Sequence, residues 1–240
     1  MSSTLVLPGE AIPVSSSSRS VVLGPGISSS LSRAENAQPT YIATKMGVLT
    51  SLKGKEKSSE QVWVESQSKR YVPSVKELVL GTIIARHAEG YRVDIGSAQM
   101  ASLDALAFAD ATKRSKPNLK VGTLVYARVS TANRDMEPEV ECFDPTTGKS
   151  DGFGELKGGV LIQCSLRLCR QLLNPKFVLL PTLAGQIPFE TAIGLNGRIW
   201  VKAGTVAQTI ALKRVVEDVD GGELEVEQKA IEKAVRGHLA

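Results

Sequence analysis

From about residue 4 to residue 144 the chain is cut into short runs rich in Val, Ile, Leu and Thr, with Gly, Pro and Ser at the breaks. This punctuation is the strongest constraint on the fold, because strands of four to eight residues need frequent turns and long helices do not tolerate them. LVLPGEAIPV and SVVLGPGI carry Pro-Gly turns between extended segments. The serines 15–18 lie between them, and the polar stretch SSSLSRAENAQPT (28–40) reads as a loop. Strands resume at YIATKMGVLTSL and EQVWVES, on either side of the basic turn KGKEK. Residues 1–72 are therefore expected to form a small N-terminal β-domain.

Residues 73–146 give a second pattern. KELVLGTIIARH, YRVDIG, MASLDAL, GTLVYARVSTAN and EPEVECF are five strand-like runs, and the polar insert AFADATKRSKPN separates the third from the fourth. Five short strands with one long connection before the fourth match a small Greek-key barrel of the oligonucleotide-binding type. SDGFGELKGG (150–159) reads as a glycine-rich linker.

Residues 150–240 mix classes. GVLIQCS reads as a strand, and Ser165 is placed to cap the helix LRLCRQLLN, which Pro175 ends. Leu166, Leu168, Leu172 and Leu173 form its apolar side. FETAIG and RIWVKA follow as strands, then the helix GTVAQTIALKRVVEDV with apolar positions Val206, Ile210, Leu212, Val215, Val216 and Val219. A last helix lies in ELEVEQKAIEKAVRG. The fold class is mostly β with an α+β C-terminal domain.

GLNG (194–197) has the GxxG spelling of a phosphate-clamping loop. Such a clamp joins two helices, so that the second presents its positive N-terminus to the nucleic acid. The helix–helix connection here is LLNPKF, without glycine, whereas GLNG joins two strands. Asn196-Gly197 suits a hairpin turn with positive φ at both central residues. The context favours a structural turn at Gly194, Asn196 and Gly197. Trp200, in the strand that leaves it, is read as a packing residue at a core or a domain joint.

The net charge of +4 permits a polyanionic partner without requiring one. Lys113, Arg114 and Lys116, with Lys120 behind them, cluster in the insert before the fourth barrel strand. Three cations there either neutralise phosphates or simply solvate a loop. Tyr91 is placed either to stack a base or to pack at the barrel rim. Arg86 and Arg92 are further candidates, and Lys69 and Arg70 could face protein or RNA. Asp135, Glu137, Glu139 and Glu141 alternate along one strand edge, as a solvated acidic face or one that pairs with a basic neighbour. No carboxylate cluster, nucleophile–base pair or CxxC spacing supports a catalytic set, a metal or another cofactor. Cys142, Cys164 and Cys169 suit a reducing interior, cytosol or nucleus, and the last two are read as small hydrophobes in a core. The N-terminus lacks a basic n-region, and no apolar run reaches the roughly 20 residues that span a bilayer. An intracellular, soluble chain is expected.

LPGE (7–10), KRYVPSV (69–75), ATKRSKPNLKVGTLVYARV (111–129), DMEPEVECFD (135–144) and GLNGRIWVKA (194–203) together resemble the ribosomal RNA-processing protein 40 family, cap subunits of the RNA exosome. The likeness runs from about residue 5 to about residue 215. It implies an N-terminal β-domain, an S1-type barrel and a KH-type domain whose GxNG replaces the usual clamp. It also implies a non-catalytic subunit of nucleus, nucleolus and cytoplasm. Such a subunit sits on RNase-PH-like ring subunits beside other cap subunits. It helps single-stranded RNA reach a 3′→5′ exoribonuclease carried by another chain.

Overall fold

Alternation of apolar and polar residues accounts for most of the strands. The computed structural model describes residues 4–13, 20–30, 39–53, 59–66, 68–109, 111–112 and 115–239, and the chain divides into two compact units, Met1–Gln67 and Ser68–Ala240.

In the first unit, strands β1 (Thr4–Val6), β2 (Ser20–Leu23), β5 (Gly47–Lys53) and β6 (Ser59–Glu65) form a sheet of order β1-β5-β6-β2. Strands β3 (Ile27–Ser30) and β4 (Thr40–Ala43) form a separate antiparallel pair. One face of the four-stranded sheet buries Val6, Val62 and Val64 with Ile12 and Ala43. The loop expected from residue 28 starts later: Ser28, Ser29 and Ser30 pair with Ile42, Tyr41 and Thr40 through the backbone, which asks nothing apolar of the side chains. Of the expected loops, the serines 15–18, residues 31–38 and most of KGKEK lie outside the described residues.

The second unit opens with a closed five-stranded barrel. Its strands are β7 (Leu78–Arg86), β8 (Gly90–Asp94), β9 (Ala101–Phe108), β10 (Leu124–Thr131) and β11 (Glu139–Cys142). The order is β11-β9-β8-β7-β10, and pairing of β10 with β11 closes the ring. The β9–β11 contact is parallel and the others are antiparallel, as a Greek-key barrel of five strands requires. Strand β9 runs two residues past the expected MASLDAL, so Ala107 and Phe108 belong to the barrel rather than to the insert. Strand β12 (Gly154–Leu156) pairs with β10 inside the stretch expected to be a linker. Its backbone can extend the sheet despite the glycines, because a ladder needs N–H and C=O groups and not side chains.

The α+β part follows in the order β13 (Val160–Gln163), α1 (Leu166–Leu172), α2 (Leu179–Gln186), β14 (Phe189–Gly194), β15 (Arg198–Ala203), α3 (Val206–Gly221) and α4 (Gln228–Leu239). The sheet order is β13-β15-β14, all antiparallel. Ser165 caps α1, its hydroxyl accepting from Leu168 N, and a Thr205–Gln208 capping box starts α3. Helix α3 buries Ala211, Leu212, Val215 and Val216, whereas Val206 and Ile210 face solvent. Those two lie one turn apart on the side away from the sheet, so the apolar stripe is narrower than the sequence suggested.

Candidate nucleic-acid interface

GLNG occupies the hairpin between β14 and β15, with Gly194 paired to Arg198 across a three-residue loop. Within that loop only Gly197 has a positive φ, 76°. The expected two-residue turn with both centres positive is therefore not what forms; this is the longer loop in which one glycine takes the left-handed position. Asn196 is released from the turn's backbone demands, and its side chain turns to the barrel.

There Asn196 replaces a missing strand. Strand β8 pairs with β7 only from Thr82 onward, so Leu80 lies beyond its reach. The Asn196 Oδ1 accepts from Leu80 N at 3.1 Å, and Nδ2 donates to Leu80 O and Ile95 O, each at 2.8 Å. Leu195 N donates to Leu78 O at 2.8 Å. Gly194 is required for this closeness: a Cβ there would lie 2.3 Å from Asn196 Oδ1 and 2.8 Å from Leu80 N.

Charge reinforces the joint. Arg198 donates through NH1 to Asp94 O and through NH2 to Asp94 Oδ2, both at 2.6 Å. Burial pushes the Asp94 carboxyl upward, but the Arg198 hydrogen bond, the Gly96 N–H and the guanidinium charge outweigh it and hold Asp94 below the usual carboxylate range. Trp200 is buried with Leu80 and Ala192, packed on by Tyr126 and Leu156, and its Nε1 donates to Gly158 O at 2.8 Å. Trp200, Asn196 and Gly194 thus converge on β7, while Gly197 braces the other side, its carbonyl accepting from Cys164 N at 2.9 Å. A nucleic acid would find none of these polar groups free.

The barrel residues separate into two sets. Tyr91 is only 4% exposed and packs edge-on against Phe108. Its hydroxyl donates to Pro117 O and accepts from Leu119 N. Stacking on a base is ruled out in this position; Tyr91 anchors the β9–β10 connection to the barrel core. Arg92 pairs with Glu137, and Arg128 with Glu141 at 3.0 Å, so two of the four alternating acids are spent on cations of the same barrel. Arg86 donates to Asn118 Oδ1. Lys116 and Lys120 are exposed and carry no ion pair among the described residues. Lys113 and Arg114 lie outside the described residues. The structure therefore brings Arg86, Tyr91 and Lys116 to one connection, and leaves Arg92 on the outer face of β8.

No three His, Cys, Asp or Glu side chains among the described residues are grouped so as to hold a metal ion. Burial, with Glu141 beside it, pushes the Cys142 thiol up to about 12, which keeps it protonated. No described helix is long and apolar enough to cross a membrane. The connection between α1 and α2 is closed by Asn174, whose Oδ1 accepts from Lys176 N at 3.1 Å, and it has no glycine to let a phosphate backbone approach.

Family models match three successive stretches between residues 21 and 207. They are described as Exosome complex exonuclease Rrp40 N-terminal domain over residues 21–70, Exosome complex component RRP40, S1 domain, over 71–154, and KH domain over 159–207. The Schizosaccharomyces pombe exosome complex component rrp40 is 47% identical over 216 residues, covering 89% of this chain and 87% of that protein. The chain belongs to the RRP40 family of exosome complex components. The Saccharomyces cerevisiae member is 43% identical over 89% of this chain and 88% of its own length, and the human member 38% identical over 88% and 77%. A crystal structure described as an exosome complex RNA-binding protein shares the fold, with a TM-score of 0.58 at 21% identity, over 70% of this chain and 97% of that one. The barrel built from β7 to β11 thus falls in the S1 domain of this RRP40 family member, and β13 to β15 in its KH domain. Sequence reasoning had not singled out Asp94 or Arg198. Their only signal was opposite charge at strand ends, which nothing local connects.

Proposed function

We propose that this chain is a non-catalytic, RNA-binding cap subunit of the RNA exosome. In this reading it helps guide single-stranded RNA into a central channel and steadies the RNase-PH-like ring beneath it. Degradation is left to a 3′→5′ exoribonuclease subunit, and the chain works in nucleus, nucleolus and cytoplasm. The observation that carries RNA contact is the β9–β10 connection. Lys116 and Lys120 stay exposed there without ion pairs among the described residues, while Arg92, Arg128 and Arg198 are all neutralised by carboxylates. Unpaired cations on an anchored loop give up little when they meet phosphates, because no existing ion pair has to break.

A second reading, a structural clamp without RNA contact, is favoured by the outer face of the four-stranded N-terminal sheet. Leu5, Val22, Val48 and Leu52 lie exposed there, and Leu5 pairs directly across from Val48. An apolar sheet face of this kind suits a protein partner. The two readings separate in the assembled cap and ring. With Lys113, Arg114 and Lys116 all changed to Glu, single-stranded RNA affinity is expected to fall. The slope of log affinity against log salt should flatten by about 0.7 for each phosphate no longer neutralised. Unchanged affinity and slope in an intact assembly would leave only the clamp.

A further inference from the structure

At the end of the barrel where β7 begins, β8 ends and β10 ends, three segments distant in sequence enclose an open groove of about 350 Å³. Arg70 and Val72 line it from the segment before β7, Gln99 from the β8–β9 loop, and Asn133, Arg134 and Met136 from the β10–β11 loop. We propose that this groove is a second RNA-binding site, a subsite for one nucleotide of a single strand, separate from the Lys116–Lys120 loop; this rests on the RNA-binding reading above.

The walls are fixed before any ligand arrives. Tyr71 is buried in the barrel core, and its hydroxyl donates to Glu77 Oε2 at 2.8 Å, which holds Arg70 and Val72 in place on either side. Gly96 N donates to Asp94 Oδ1 at 2.9 Å, tying the β8–β9 loop to the carboxylate that Arg198 grips. Ser102 N donates to Pro138 O at 2.9 Å, and Glu137 pairs with Arg92, which pins the β10–β11 loop. A groove held on three sides loses little entropy when it binds.

Its chemistry fits a nucleotide. Among the described residues the two cations lining it, Arg70 and Arg134, have no ion pair, and no carboxylate lines the groove. Guanidinium groups grip phosphate in bidentate fashion. Val72 and Met136, both more than half exposed, offer apolar surface to a base face. Gln99 and Asn133 end in carboxamides, which carry both the donor and the acceptor that a base edge presents. A volume near 350 Å³ suits one nucleotide better than an extended peptide, which needs a long groove or a free sheet edge.

The test is amide-resolved NMR on the isotopically labelled full chain, titrated separately with a hexauridylate, uridine 5′-monophosphate, inorganic phosphate and a hexaglutamate peptide. The hexauridylate and the mononucleotide are expected to shift Ser97, Gln99, Asn133 and Met136. The pair Arg70→Glu with Arg134→Glu should abolish those shifts while sparing shifts at Lys116 and Lys120. For the hexauridylate it should also flatten the salt slope by about 0.7, for the one phosphate the subsite holds. Met136→Ala is a second, charge-neutral variant and should weaken the mononucleotide without altering the response to inorganic phosphate. Shifts confined to residues 115–120 would overturn the groove and leave RNA binding by the barrel intact. No RNA-induced shift anywhere would overturn both. A groove that answers hexaglutamate as strongly as hexauridylate would overturn the nucleotide and make it a protein-docking site.

Discussion

The GLNG hairpin and the β9–β10 connection are both turns, and both carry a spelling associated with nucleic acid. In the hairpin every notable polar group already has a protein partner: Asn196 makes three hydrogen bonds to the barrel, and Arg198 is paired with Asp94. In the connection the backbone is anchored by the Tyr91 hydroxyl, while Lys116 and Lys120 project into solvent. The difference teaches that a motif is read by where its polar groups end, and not by its letters. A buried, satisfied glycine loop holds two domains together. An anchored loop with unspent charge is the place to look for a phosphate.

The contrast breaks most visibly at Asn196. Asn196→Ala removes three hydrogen bonds and leaves the buried Leu80 N–H and Ile95 carbonyl without the partner Asn196 gave them, while the Leu80 carbonyl keeps only Arg198 NH1 at 3.4 Å. The Ser68–Ala240 unit should lose about 3 kcal/mol or more in urea unfolding. A loss under about 1 kcal/mol would mean the joint is held by packing alone. Trp200→Phe keeps most of the apolar packing and deletes the bond to Gly158 O, so a smaller loss of about 1–2 kcal/mol is expected in the same measurement.

Acid sharpens the contrast further. The Asp94 carboxyl is held below its ordinary range in the folded chain, so the unfolded chain takes up the proton first. The stability it contributes is fully present above the unfolded value near 4, and is lost as pH falls through the folded value. Asp94→Asn should therefore give a shallower decline in stability from about pH 4 downward than the native chain, with the two curves running parallel above about pH 6. Equal slopes in acid would remove Asp94 from the joint. The smallest effect on stability belongs to the loop. Lys116→Glu should change unfolding by less than about 0.5 kcal/mol, since the exposed side chain has no ion pair among the described residues.

Much of this fold is legible in the sequence because strands announce themselves by period. The five barrel runs fall on the observed strands, and the long third-to-fourth connection marks the Greek key. The burial of Tyr91 is legible too. In YRVDIG, Tyr91 shares its parity with Val93 and Ile95, both fully buried, and Arg92 and Asp94 have the other. The joint is not legible. Asn196 meets Leu80 and Ile95 across 116 and 101 positions, and no local pattern links residues that far apart. The same distance hides the groove, whose walls come from residues near 70, 99 and 134. Strand β12 escapes because three residues, Gly154 to Leu156, are too short to show a period among the surrounding glycines.

RNA is expected to meet the barrel and not the GLNG hairpin. The most direct test is photo-crosslinking of 4-thiouridine RNA to the full chain in the assembled complex, with the linked peptides mapped by mass spectrometry. Crosslinks are expected within residues 111–120 and absent from Leu195, Asn196 and Gly197. Crosslinks on the hairpin, with residues 111–120 untouched, would contradict the account.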